Sequence, residues 1–384
     1  MKYPQFMRLI HPLKWSLIGA LALGLVACGG GNDSQQQTTV LKASMSGDQE
    51  VPPAITGALG TGTLSLESIS RNISGSIALD GMTATAAHIH QGDTGVNGPI
   101  IVPLTETTPG TWSVPAGAAL TESQAAAFAA GGLYFNAHSA AIPTGEIRGQ
   151  IGRDVFAAQL SPAQEVPATA SAATGTGLLS LDPATKKFTA RITVSGMATT
   201  AAHIHNGTLG NNGAIIFPLS ETAAGSGVWV SAADATLTDA QLALLTSGGL
   251  YFNAHSAALP GGEIRGQIGR HVRFARLSAV EEVPANSSTA TGTGTLVVDP
   301  ATRAASGSIT LSGITATAAH IHLGAAGVNG PVNITLTSAG GGVFNVPAGT
   351  VLTAAQLLAY KQGNLYYNAH SATFPGGEIR GQIR

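Results

Sequence analysis

The sequence predicts an all-β protein made of three tandem antiparallel β-sandwiches of Greek-key type, each carrying one short helix. Three observations carry this. The same set of motifs recurs at a spacing of 115 or 117 residues, far longer than the 20–50 residues of a solenoid unit, so each copy is a domain. Within a copy, short Thr-, Val- and Ile-rich runs alternate with glycine-rich turns, the pattern of short strands. One segment per copy breaks that pattern with a helix-start signature.

The chain opens with "MKYPQFMRLIHPLKWSLIGALALGLVACGGG". Lys2, Arg8 and Lys14 precede an apolar run over 15–27 that is short for a permanent bilayer span. The run ends at Cys28, the chain's one cysteine, so no intrachain disulfide is available. Leu25-Val26-Ala27-Cys28 resembles a bacterial lipobox. We therefore expect a lipoprotein signal peptide over 1–27, lipidation of Cys28, and a partner in the membrane through that lipid. An ordinary signal peptide that happens to contain a cysteine is the alternative. Gly29 after the cysteine favours the outer membrane where two membranes exist, so the expected location is the bacterial cell envelope. "GGGNDSQQQT" over residues 29–38 then reads as a flexible tether, which we place at 28–38.

The repeats follow, with expected domains at 39–153, 154–270 and 271–384. "QEVP" at Gln49 and Gln164 returns as "EEVP" at Glu281. "TGTGLLSL" from Thr174 and "TGTGTLVV" from Thr291 match the region Thr56–Leu66, which carries a two-residue insertion. "TAAHIH" begins at Thr85, Thr200 and Thr317, and a glycine-rich turn follows each. "LTESQAAAFAAGG" over 120–132 is the expected helix: Thr121 with Gln124 forms a capping box, as do Thr238 with Gln241 and Thr353 with Gln356. Glycines at 131, 248 and 363 stop it. "LYFNAHS", a Pro-x-Gly turn and "GEIRGQI" close each copy as a hairpin. No linker separates the copies, so they are expected to sit close together.

Nine of the eleven histidines belong to the repeat. In a strand, alternate side chains share a face, so His88 and His90 point the same way, and His138 arrives on a strand that can lie beside them. His203, His205 and His255 form the second set, and His320, His322 and His370 the third. Three imidazoles suit copper or zinc, one ion per domain, with a fourth position open. The alternative is structural: imidazoles that hydrogen-bond the glycine-rich turn. Glu146 and Arg148, with Gln150, share one strand face and offer an ion pair or an orienting contact to a histidine. Glu263 and Arg265, and Glu378 and Arg380, repeat this. Asn136, Asn253 and Asn368 stand two residues before the third histidine, on its face. The chain lacks the basic excess that nucleic-acid binding needs, since its formal charge is −2. No Gly-x-Ser-x-Gly elbow, phosphate loop or recurring carboxylate pair is present, so no catalytic residue is expected.

The ordered set QEVP, GTG, AAHIH, NGP, LYxNAHS and GEIRGQI resembles the chordin-type domain family, CHRD. The likeness covers all three copies; the second departs at Ala214, where the others have Pro99 and Pro331. It implies an extracytoplasmic β module and names no bacterial ligand; the function we expect first is non-enzymatic, binding of a protein or envelope-polymer ligand or organisation of a surface. His-x-His, a glycine turn, a later strand histidine and an arginine-bearing closing strand are also similar to copper–zinc superoxide dismutases. That weaker likeness implies a superoxide dismutase-like sandwich, with an immunoglobulin-like one the open alternative, copper-type roles for His88, His90 and His138, anion steering by Arg148, and metal handling or oxidant defence as the function. The chain departs from it in having no bridging histidine, no zinc-loop aspartate and no disulfide.

Overall fold

The computed structural model describes residues 35–384. The expected signal peptide and Cys28 lie outside them. Among the described residues no helix is long and apolar enough to cross a membrane.

The first repeat shows the plan. Its strands are β1 (Thr38–Ser46), β2 (Leu59–Glu67), β3 (Ile73–Asp80), β4 (Ala84–Gln91), β5 (Ile100–Pro103), β6 (Thr105–Thr108), β7 (Thr111–Ser113), β8 (Leu133–Ser139) and β9 (Ile147–Gln150). The sheet order is β5-β4-β8-β9-β1-β2-β3-β7-β6. β5 and β6 are two halves of one strand, interrupted at Leu104; in the second repeat the same strand runs unbroken as Ile215–Glu221 and pairs on both sides. The ladder therefore closes on itself as a flattened eight-stranded antiparallel barrel, which leaves no free sheet edge. β4, β5/β6 and β7 are successive hairpin partners, and β8 returns to lie beside β4. That return is a Greek key.

Alternation fills the interior. Leu64, Ile77, Ile89, Phe135 and Ile147 point inward and are fully buried. The helix α1 (Glu122–Ala130) spans the β7–β8 return and places Phe128 in the core. Thr121 accepts from Gln124 N and donates its own N–H to Gln124 Oε1, the capping box the sequence signals; Gly131 ends the helix at φ 73°. Both are repeated in the other helices, Asp239–Ser247 and Ala354–Gln362.

The barrel is sealed where β9 meets β1, at the single pair Ser46↔Arg148. Ser161↔Arg265 and Ser278↔Arg380 seal the others. The approach is so close that a Cβ on Gly149 would lie 2.6 Å from Met45 Cγ and 2.8 Å from Ser44 O. Glycine in "IRGQ" is thus a packing requirement of closure.

The three barrels form one compact unit, Gln36–Arg384. Arg153 bridges to Asp182 at 2.9 Å and Arg270 to Asp299 at 3.0 Å, each pinning one repeat to the next. The first and third repeats also meet. Asp48 Oδ2 holds Lys361 Nζ at 2.9 Å, and His271 Nε2 stands 3.5 Å from Asp48 Oδ1; all three residues are buried. Burial opposes ionisation of Asp48, but His271 and Lys361 hold its carboxyl below the usual range. Burial depresses His271, reinforced by Lys361 and only partly offset by Asp48.

Removing one member of such a pair strands the other as an uncompensated buried charge. Lys361→Met should therefore weaken docking of the first repeat on the third by about 3–5 kcal/mol. The pH dependence follows from the two depressed groups. His271 takes up a proton more readily when undocked, so docking is strongest above its ordinary value of 6.5 and weakens as pH falls from there. Asp48 adds a further loss as pH falls through its lowered value. Amide protection at Gly47–Glu50, normalised to the intrinsic exchange rate at each pH, should be lower at pH 5 than at pH 8, and equal protection at both would contradict weakened docking.

Candidate metal centre

The register of β4 against β8 sets the site. His88 lies opposite Asn136, His90 opposite Tyr134 and Ala86 opposite His138, so the third histidine is diagonal to the first on one face. A bulge between Ile89 and His90 on the β5 side adjusts the second ring. His88 Nδ1 and His138 Nε2 are 3.2 Å apart. Each of the three rings offers a nitrogen within 4.8 Å of those of the other two. The arrangement is reproduced: His203 Nδ1–His255 Nε2 and His320 Nδ1–His370 Nε2 are both 3.1 Å.

The outer nitrogens decide the inner ones. His90 Nδ1 is 3.0 Å from Gly98 O and His138 Nδ1 is 3.0 Å from Pro143 O. A carbonyl only accepts, so both Nδ1 atoms carry the proton and both Nε2 atoms present lone pairs inward. His90 Nε2 is buried with no hydrogen-bond partner, and so are His205 Nε2 and His322 Nε2. Burial lowers the pKa values of His88 and His90; neighbouring imidazoles deepen the shift at His88, and the Gly98 contact partly offsets it at His90. Both rings are neutral at neutral pH. A cluster of imidazole nitrogens, two of the rings oriented by backbone carbonyls, fits copper or zinc. With His138 Nε2 unprotonated, the 3.2 Å contact is a hydrogen bond donated by His88 Nδ1–H, a proton that an ion would displace, and its length is close to the ~3.3 Å nitrogen separation of a tetrahedral site with ligands at about 2.0–2.1 Å.

The CHRD domain family model matches residues 41–151, 156–268 and 273–383. The chain belongs to the CHRD domain family. No curated protein matches it significantly.

The CHRD motifs converge on one network. Gly98, of the NGP motif, accepts from His90 with its carbonyl and donates its N–H to Tyr134 Oη at 3.1 Å. A Cβ at Gly98 would collide with Gln91 O, so only glycine allows this turn. Tyr134 stacks on His90 with centroids 4.9 Å apart and planes 12° from parallel. Arg148 lies over the other face of Tyr134, its Cζ 3.5 Å from the ring centroid. The same arginine donates to Asp93 O, Asn97 Oδ1 and Gln150 Oε1. Asn97 donates in turn to Val51 O of QEVP. Arginine, tyrosine and histidine thus form a three-layer stack, repeated as Arg265–Tyr251–His205 and Arg380–Tyr366–His322.

The nine histidines gather as the sequence suggests; the polar residues expected to orient them do not touch them. Glu146 accepts from Thr56 Oγ1 at 2.6 Å, Glu263 from Ser171 Oγ at 2.6 Å and Glu378 from Ser288 Oγ at 2.7 Å. Asn136, Asn253 and Asn368 donate to Glu50, Glu165 and Glu282. Arg148, Arg265 and Arg380 make no ion pair with the glutamate two residues earlier and reach the site only through tyrosine. Buried beneath that ring, Arg148 does not serve the anion-steering role that the dismutase likeness implies. The orienting groups are instead Gly98 O, Pro143 O and Tyr134. Tyr134 sits directly across from His90 in "LYFNAHS", four residues before His138, and this cross-strand relation is the signal that identifies it.

Two predictions follow from this network. The metal-free protein at pH 8 should show His90, His205 and His322 as Nδ1–H tautomers in ¹⁵N spectra; Nε2–H tautomers would break the orientation argument. Separately, burial pushes Glu50 up to about 7, against the partial relief of Arg148 and Asn136. An acid raised in the fold contributes its full stability below 4.5 and loses it as pH rises through about 7. Glu50→Gln should therefore stabilise the first repeat at pH 8 by about 1–3 kcal/mol, read as a raised melting temperature.

Proposed function

We propose that the protein is a non-enzymatic metal-binding component of the bacterial cell envelope, tethered by a lipid on Cys28, and that each CHRD repeat holds one copper or zinc ion through its three histidines. The observation that carries the reading is the inward, unpartnered Nε2 of His90, found again at His205 and His322. A purely structural histidine satisfies its second nitrogen; these three bury theirs beside two other imidazoles. Nδ1 of the same rings does bond the glycine turn, so the structural role belongs to one nitrogen and leaves the other free for an ion. Gly98 O and Pro143 O would orient the ligands, and Tyr134 would hold His90 in place. A bound ion would supply charge that draws an exchangeable fourth ligand from the solvent side, where His88 and His138 are only partly covered.

The anchored part of the reading rests on Cys28 directly after the apolar run. Metal binding and the envelope location are independent of each other and are tested separately.

The full chain should bind about three equivalents of copper or zinc. His90→Ala, His205→Ala and His322→Ala should each remove one equivalent and leave the other two. Saturating ion at ~1,000 times its dissociation constant should stabilise each repeat by about 4 kcal/mol. Copper and zinc titrations with no heat and no change in melting temperature would remove the reading. Labelling with a radioactive fatty acid, abolished by Cys28→Ser, checks the anchor.

A further inference from the structure

The three barrels stack head to tail, and the same two surfaces make the contact twice. The first repeat presents its QEVP loop and its glycine turn: Gly95 faces Leu178 and Arg191 of the second, and Thr94 bonds Ser180 at 2.9 Å. The second repeat presents the same loops to the third, where Gln164, Val166 and Leu209 face Phe274, Thr295 and Val297. The receiving surface is in each case the outer face of the first three strands of a repeat.

One such surface is open on the first repeat and one on the third. On the receiving side, register makes Val40, Val155 and Val272 equivalent, and likewise Lys42, Ala157 and Phe274. Val272 is 8% exposed and Ala157 is buried, whereas Val40 is 50% exposed and Lys42 is exposed. On the presenting side, Val51 and Val166 are partly covered whereas their counterpart Val283 is exposed, and Gln49 and Gln164 fold back onto their own barrel's seal whereas their counterpart Glu281 is exposed. The two open ends thus differ from the inner contacts by opposite charges at facing positions: Gln164 lines the second–third contact with Phe274, and these are the counterparts of Glu281 and Lys42.

We propose that a second copy of this chain occupies these ends, with the Glu281 loop of one molecule seated on the β1–β2 face of the next and Glu281 paired with Lys42. Such a contact is heterologous, so it extends into chains or closes into rings. It is independent of metal. The other explanation of charged ends is that they are solubilising caps, as terminal repeats of stacked proteins carry. Charge reversal separates the two.

The experiment is sedimentation velocity of the full chain in mild detergent, over a range of protein and salt concentrations. The expected result is a mass that rises with concentration at low salt and falls at about 1 M salt, where the screening length is ~3 Å. Lys42→Glu and Glu281→Lys should each weaken association by about tenfold, and the double reversal should restore it. Neither residue lies in a barrel core or near a histidine set, so circular dichroism should confirm that all three variants fold. A monomer at every concentration would overturn the proposal in favour of capping. Association that ignores the single reversals, or that the double reversal fails to restore, would overturn it in favour of another surface or shared micelles.

Discussion

Arg148 and Gln150 are fully buried polar side chains on the four-residue strand that seals the barrel, and most of the structure is arranged to satisfy them. Gln150 Nε2 bonds Gly92 O and Gly131 O, joining the start of the glycine turn to the end of the helix. Gln49 Oε1 accepts Gln150 N, which ties in the QEVP loop. Arg148 binds the remainder of the glycine turn. Burying these groups without partners is expensive, on the order of 1–3 kcal/mol for each unpaired atom and more for a charge. The seal is therefore cooperative: β9 can close on β1 only once the turn, the helix end and the QEVP loop have taken their places.

The histidine set inherits its geometry from that closure. The loop that satisfies Arg148 ends at Gly98, and Gly98 fixes both His90 and Tyr134. The guanidinium that closes the barrel also backs the tyrosine that backs the histidine. A side chain far from the imidazoles in sequence thus sets their orientation without touching them. This also explains the neutrality of the site. The guanidinium is spent on loop carbonyls and a π face, and Glu146 is spent on a threonine, so neither places a formal charge directly on the rings.

Much of this was legible in sequence because it rests on short-range rules. Alternation placed His88 and His90 on one face, the capping box located each helix, and repetition exposed three domains. What escaped was what depends on strands far apart in the chain. The apolar β5, Ile100–Pro103, reads as a strand and a Greek-key barrel is one of the architectures the pattern allows, but the short polar β6, Thr105–Thr108, does not read as its continuation, so the pairing that closes the ladder is not visible. Glu146 and Arg148 looked like partners because they lie two apart on a strand; the barrel sends one to a loop threonine and the other under a tyrosine. Tyr134 was passed over because an aromatic in a strand reads as core, and its second face becomes informative only when β4 is laid beside β8.

The repeats agree and disagree in a way that separates two kinds of constraint. The stack and the three histidines are the same in all three barrels, and so is the seal apart from the bond of Gln49 and Gln164, which the exposed Glu281 does not make; each barrel must satisfy its own buried arginine and glutamine. The Arg153–Asp182 pair between the first and second barrels recurs as Arg270–Asp299 between the second and third, but the contact of the first barrel with the third is written once. Asp48 has Ala163 and Val280 at its counterpart positions, and Lys361 has Ala129 and Thr246. A charge buried at one seam has no partner at another, so a shared code would have left unpaired charges at two of three positions. The site is accordingly a property of any one barrel, whereas the order in which barrels pack is a property of this chain. That division leaves the inner network free to be copied whole while the outer faces take the charges their positions require.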